Sequence, residues 1–170
     1  MMSNVNLLLE MTMPNWTDCR VTITHANPEK IDQLLTILND KDPFNQIVPM
    51  PSLVSLDETY QGRLPDWYSW RCDKWGTKWE PQIEELERPD SQTIDCNMLT
   101  AWSPPIPIWD TLFDLGFRVE AVYLDEGWCY SGHYVDKADV QYEVNPEALP
   151  EKIEEVFGDI IRVIQEENMP

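Results

Sequence analysis

The densest set of chemically versatile side chains in this 170-residue chain lies between Trp67 and Trp79. Four of the eight tryptophans, at positions 67, 70, 75 and 79, are interleaved there with Arg71, Lys74 and Lys78. Indole rings stack on bases, and cationic side chains hold phosphates. Trp70, Arg71, Lys74, Trp75, Lys78 and Trp79 therefore have the composition of a single-strand or RNA binding site. The same residues also suit packing, with rings closing a core while the cations stack on them and pair with nearby acids.

Elsewhere, catalytic groupings are scarce. The only histidines are His25 and His133, and the four cysteines, Cys19, Cys72, Cys96 and Cys129, include no C-x-x-C pair. A histidine beside Cys19 or Cys129 would make a nucleophile and base, and one beside Asp125 and Glu126 would begin a metal site. No spacing in the chain matches a triad or a metal pattern. Asp125-Glu126 and Glu84-Glu85 supply the paired carboxylates that glycoside hydrolysis needs across a cleft, yet turns and helix faces carry such pairs as solvated charge. None of the six glycines forms a phosphate-cradling G-x-x-x-x-G-K loop. The expectation is a protein that is not an enzyme, with no catalytic residue, cofactor or metal.

Charge is the stronger signal. Thirty-one acids against twelve Lys and Arg give a net charge of −19, which argues against direct binding to duplex DNA and for a basic partner such as a nucleic-acid-binding protein. From Val119 to the end, thirteen acids face three bases, so over half of the net charge sits in the last third of the chain. One-signed charge of that density costs stability through self-repulsion, which gives weight to a binding role. The candidate partner-binding face comprises Asp125, Glu126, Asp136, Asp139, Glu143, Glu147, Glu151, Glu154, Glu155 and Asp159. Carboxylates along a helix and a strand edge can occupy the Arg and Lys sites that a host protein keeps for phosphate. A solvated acidic face that maintains solubility is the other reading.

These residues need a scaffold. The length suits one domain spanning 1–170, the cysteines read as reduced core thiols of a cytoplasmic protein, and the apolar run at Leu7-Leu8-Leu9 is too short for a signal peptide or a membrane span. Alternation predicts a strand over Trp16–Thr24. Asn27-Pro28 then opens a helix carrying Ile31, Leu34, Leu35 and Leu38 that ends near Asn39. The proline-bearing stretch Phe44–Leu56 reads as extended, Leu53–Leu64 as a short helix, Thr77–Glu80 as a possible strand entry and Glu84–Ser91 as an exposed loop. A strand over Gln92–Trp102 precedes a helix with the stripe Ile108, Leu112, Phe113 and Leu115, closed by Gly116. Phe117–Leu124 and Trp128–Val135 form a hairpin around Asp125-Glu126-Gly127, and Ala138–Val144 adds an edge strand. Leu149–Gln165 closes as an amphipathic helix with Ile153, Val156, Phe157, Ile160, Ile161 and Ile164 inward.

This order predicts an α+β sandwich: a ferredoxin-like antiparallel sheet over residues 13–135 with two helices on one face, plus an acidic extension over 136–170 bearing the C-terminal helix. Five stretches then bear a likeness in the same order: Met13-Pro14-Asn15-Trp16, Ile47-Val48-Pro49-Met50-Pro51, Trp70–Trp79 with its Trp75-Gly76-Thr77-Lys78-Trp79 core, Thr100-Ala101-Trp102-Ser103-Pro104-Pro105, and the Gly127–Tyr134 hairpin. Over them the chain resembles the YubB-type ferredoxin-like domain family of phages and conjugative plasmids. The resemblance implies the fold and a mobile-element setting near genes that counter host defences, and supplies no catalytic residue. With the charge, it leads to the expectation of an anti-CRISPR or antirestriction protein whose partner is a host defence protein or ribonucleoprotein with a basic groove. A small RNA-binding module using the tryptophan segment is the alternative.

Overall fold

The computed structural model describes residues 15–52 and 66–167. Six strands form one antiparallel sheet: β1 Trp16–Thr24, β2 Gln82–Asp90, β3 Thr93–Ala101, β4 Arg118–Asp125, β5 Tyr130–Val135 and β6 Ala138–Glu143. Their order across the sheet is β2-β3-β1-β4-β5-β6. Five helices lie among the described residues: α1 Pro28–Leu38, α2 Pro43–Ile47, α3 Asp66–Lys74, α4 Ile106–Asp114 and α5 Glu151–Glu167. The class is α+β.

Alternation along the strands divides the sheet into two faces. One face is built from Cys19, Val21 and Ile23 of β1, Ile94, Cys96 and Met98 of β3, and Val119, Ala121 and Tyr123 of β4. It shares a core with Ile31, Leu34 and Leu38 of α1 and with Ile108, Trp109 and Leu112 of α4. Phe44 of α2 and Trp75 enter the same core, so it draws on more than the two expected helices. The opposite face carries a second, smaller core in which Val122 and Leu124 of β4 meet Ile153, Phe157 and Ile161 of α5. Each such side chain contributes about 1.5–3 kcal/mol on full burial.

Local chemistry accounts for the boundaries. Asn27 caps α1, its side chain accepting from the Glu29 N–H with Pro28 in the first turn. Gly116 follows α4 at φ 94°, a left-handed turn that glycine adopts without strain.

Several elements differ from expectation. Phe44–Leu56 is not extended throughout, because Pro43–Ile47 forms α2. The Glu80 carboxylate accepts from the Phe44 and Asn45 N–H groups at 2.7 and 2.9 Å, a cap supplied from 35 residues away. Glu84–Ser91 is not a loop: most of it belongs to β2, an edge strand with Ile83 and Leu86 toward the core and its acids outward. Pro89 falls at a register shift between Glu87 and Asp90, where the ladder is interrupted. Thr77–Glu80 lies outside any strand, since β2 starts at Gln82. In α4, Trp109 is buried while Phe113 and Leu115 are exposed, because the helix rests on Ile108, Trp109 and Leu112. In α5, Ile160 and Ile164 are exposed, because the contact with β4 is a narrow stripe met at i, i+4 and i+8 by Ile153, Phe157 and Ile161. The helix expected over Leu53–Leu64 lies outside the described residues. No helix among the described residues is long and apolar enough to cross a membrane.

Candidate acidic interface

α5 covers only one side of its sheet face. Its Phe157 ring lies 5.7 Å from the Arg20 guanidinium on β1, and beyond that contact β1, β3 and β2 present outward-pointing side chains. Register sets these in rows: Arg20 beside Asn97 beside Glu85, then Thr22 beside Asp95 beside Glu87. Directly opposed residues of antiparallel strands share a face, so Asp18, Glu85, Glu87 and Asp95 stand on one side of the sheet. Asp18 grips Arg20 with both oxygens at 2.9 Å, which is the main reason the guanidinium holds its proton more tightly than usual. Thr22 donates to Asp95 at 2.7 Å, and Asn97 donates to Glu85.

Where α5 borders these rows, a groove of about 410 Å³ opens, lined by Arg20, Thr22, Asp95, Glu120, Lys152 and Glu155 among others. The Lys152 ammonium lies 3.4 Å from Glu155 and 3.7 Å from Glu120. Those carboxylates, Glu155 first, raise its affinity for a proton. Further along α5, Arg162 pairs with Glu154 and with Asp159, the latter at 2.7 Å. Arg20, Lys152 and Arg162 are thus each held by acids of the same face, while among the described residues Glu85, Glu87 and Asp95 are in no ion pair.

The predicted acidic residues separate into two groups. Glu151, Glu154, Glu155 and Asp159 stand exposed on α5, and Glu126 is exposed on the β4–β5 turn, Glu143 at the end of β6 and Glu147 on the approach to α5. The other three make contacts within the fold. Asp125 is buried and accepts from the Cys129 N–H at 3.1 Å, locking the β4–β5 turn. Asp136 accepts from the Val119 N–H and pairs with Arg118 at 2.7 Å. Asp139 accepts from the Tyr123 hydroxyl, and burial lifts its carboxyl above the ordinary range. Sequence reasoning missed Asp18, Glu85, Glu87, Asp95 and Glu120. The alternation along β1 and β3 held the signal for two of them, while reading 84–91 as a loop concealed Glu85 and Glu87.

The tryptophan segment lies with the other core. Trp75 is fully buried, donates its indole N–H to the Val48 carbonyl at 2.9 Å, and meets Phe44 and Trp70 edge-on. Arg71 stacks over Trp67 and Trp75, with burial lowering its proton affinity. Lys78 is buried with its ammonium 4.2 Å from the Trp79 ring centre and 4.9 Å from that of Trp102, and burial again lowers its affinity for a proton. Trp79 also leans on Trp16; Lys74 is exposed beside Asp73, and Trp70, Arg71 and Trp79 are half-buried. Rings and cations stack on one another, an arrangement that consumes the faces a base would need.

Both imidazoles and two of the four thiols are equally engaged, whereas Cys72 is half-buried and Cys129 exposed, so not every cysteine is the core thiol expected. Cys19 is buried against the Thr17 carbonyl and the Thr100 hydroxyl, and burial pushes the Cys96 thiol up to about 12. His133 Nε2 sits 3.1 Å from Glu120, and His25 accepts from the Asn27 N–H. Among the described residues, no group of three His, Cys, Asp or Glu is placed to hold a metal ion.

No protein-family model, no curated protein and no solved structure matches this chain.

Proposed function

We propose that this chain is a non-enzymatic inhibitor of a host defence system, carried on a phage or plasmid, that occupies the basic nucleic-acid-binding surface of a defence protein or ribonucleoprotein. The single observation that carries the reading is the concentration of Asp18, Glu85, Glu87, Asp95, Glu120 and the α5 carboxylates on one sheet face whose cations are already held by acids. Such a surface offers negative charge at spacings along rigid strands and a helix, which suits the guanidinium and ammonium groups of a phosphate-binding groove. The choice of a defence system as the target rests on the resemblance to the YubB-type family. The core β1-α1-β2-β3-α4-β4, with strand order β2-β3-β1-β4, supports a ferredoxin-like reading, to which β5, β6 and α5 are additions. We place its work in the bacterial cytoplasm.

The test is affinity purification of the tagged protein from its host at low and high salt, repeated with Glu151, Glu154, Glu155 and Asp159 changed to Lys. The expected result is a nuclease or effector complex that elutes with salt and is lost with the reversals. Unchanged capture by the reversed protein would remove this reading.

A further inference from the structure

We infer that the acidic face is not purely an electrostatic decoy: it takes an amphipathic basic helix of a partner protein, whose apolar side chains seat against the exposed flank of α5. The inference rests on the proposed role of the acidic face and specifies what that face holds.

Val156 lines the groove between α5 and β1. Ile160 and Val163 follow it at i+4 and i+7, so the three form one stripe along the side of the helix that looks over the uncovered strands. Ile160 is 44% and Val163 is 53% exposed, although both are large apolar side chains beside a well-filled core. Neither contributes to the contact with Val122 and Leu124, which Ile153, Phe157 and Ile161 provide. The stripe spans about 10 Å at the helical rise, roughly two turns, the length of an i, i+4, i+7 anchor set on a docked helix.

Its surroundings select the partner. Glu155 and Asp159 rim the stripe on α5. Asp95 and Glu120 line the groove, whose two cations, Lys152 and Arg20, are paired with Glu155, Glu120 and Asp18, and Glu85 and Glu87 stand further out on the same sheet face. A second copy of this chain would bring the same carboxylates into opposition, and a nucleic acid would bring phosphates; both are repelled. A helix with Leu or Ile on one face and Lys or Arg on its flanks answers both features: its apolar side chains cover the stripe while its cations meet the rim.

The test uses the full-length protein and two labelled synthetic peptides of equal length and equal Lys content. One has Leu at helical i, i+3, i+4 and i+7 positions, and the other has Ser at those positions. Fluorescence anisotropy at moderate salt is expected to show the Leu peptide binding about tenfold or more tighter. The double variant Ile160→Ser, Val163→Ser, checked for an unchanged circular dichroism melt, is expected to erase that preference while keeping the weaker, salt-sensitive binding common to both peptides. Equal affinity of the two peptides, or a preference that survives in the double variant, overturns the helix-docking inference and leaves the acidic-face reading standing. Absence of binding by either peptide at low salt overturns both. Concentration-dependent dimerisation that disappears in the double variant, measured by sedimentation, assigns the stripe to self-association and likewise overturns the inference.

Discussion

Tyr123 on β4 donates its hydroxyl to Asp139 on β6 at 2.9 Å, reaching across the intervening strand by lying directly on Gly132. A Cβ built at position 132 would stand 2.2 Å from the ring, so the buried tyrosine and the glycine are mutually required. Gly132→Ala should force the ring from its site and lower stability by about 3 kcal/mol. Tyr123→Phe keeps the ring, loses only the hydrogen bond and should cost about 1 kcal/mol. Urea denaturation of both variants checks the order; equal effects would mean that the ring's path over Gly132 is not what fixes this residue.

The same aspartate makes stability depend on pH with an unusual sign. Burial raises its carboxyl above the ordinary value, more than the Tyr123 hydrogen bond lowers it, and the Asp110 charge adds to the rise. The folded state therefore binds the proton more tightly than the unfolded chain does, in the window between the ordinary carboxyl value of about 3.9 and the raised one. Within it, stability should rise as pH falls, and the contribution opposes folding once pH exceeds the raised value. Asp139→Asn retains an acceptor for Tyr123 and carries no charge. This variant should be at least as stable as the parent at neutral pH and show a flatter pH dependence in that window. A variant less stable at neutral pH, with the slope unchanged, would show the charge to be favourable where it sits.

Glu80 shows how a helix can be assembled from a distance. Its oxygens satisfy the first N–H groups of α2, which has no side-chain cap of its own, and the Arg71 charge acts on the same carboxylate. Glu80→Ala should leave those donors unmet and cost about 1–2 kcal/mol, as loss of an N-cap does, while Glu80→Gln should recover part of it. Hydrogen exchange at the Phe44 and Asn45 amides reads the effect locally. Protection unchanged in Glu80→Ala would show that the cap contributes nothing.

These contacts also show what the chain discloses on reading. β1 and β3 were legible because each alternates apolar and polar residues along its length, β4 because the apolar run Ala121–Leu124 leads into the turn Asp125-Glu126-Gly127, and α1 because Asn27-Pro28 announces its start. α2 was not, since its cap lies 35 residues downstream, and β2 was concealed by the outward acids and proline that suit an edge strand. The acids of α5 were readable from helical spacing. That they share a face with Asp18, Asp95 and Glu85 depends on the pairing of β1 with β3 and β2, a register that no local pattern states. Likewise, Trp75 and Lys78 look like a binding strip in one dimension and become core in three.

Salt should stabilise this protein. A net charge of −19 on 170 residues sums repulsion over many carboxylate pairs separated by more than contact distance, and those are the interactions that mobile ions screen. The opposing attractions, such as Arg162 with Asp159 and Lys152 with Glu155, lie at the exposed surface, where ion pairs contribute little. Repulsion outnumbers them, above all around α5 and the strands beside it. Raising sodium chloride from about 0.05 M to about 0.5 M should therefore increase the melting temperature by several degrees, with chloride preferred to sulfate so that surface exclusion does not imitate screening. Replacing Glu85, Glu87 and Asp95 by their amides should raise the melting temperature at low salt and shrink the response to added salt. A melting temperature that falls with salt would mean that the ion pairs outweigh the repulsion, and the density of acid on that face would then need no partner to account for it.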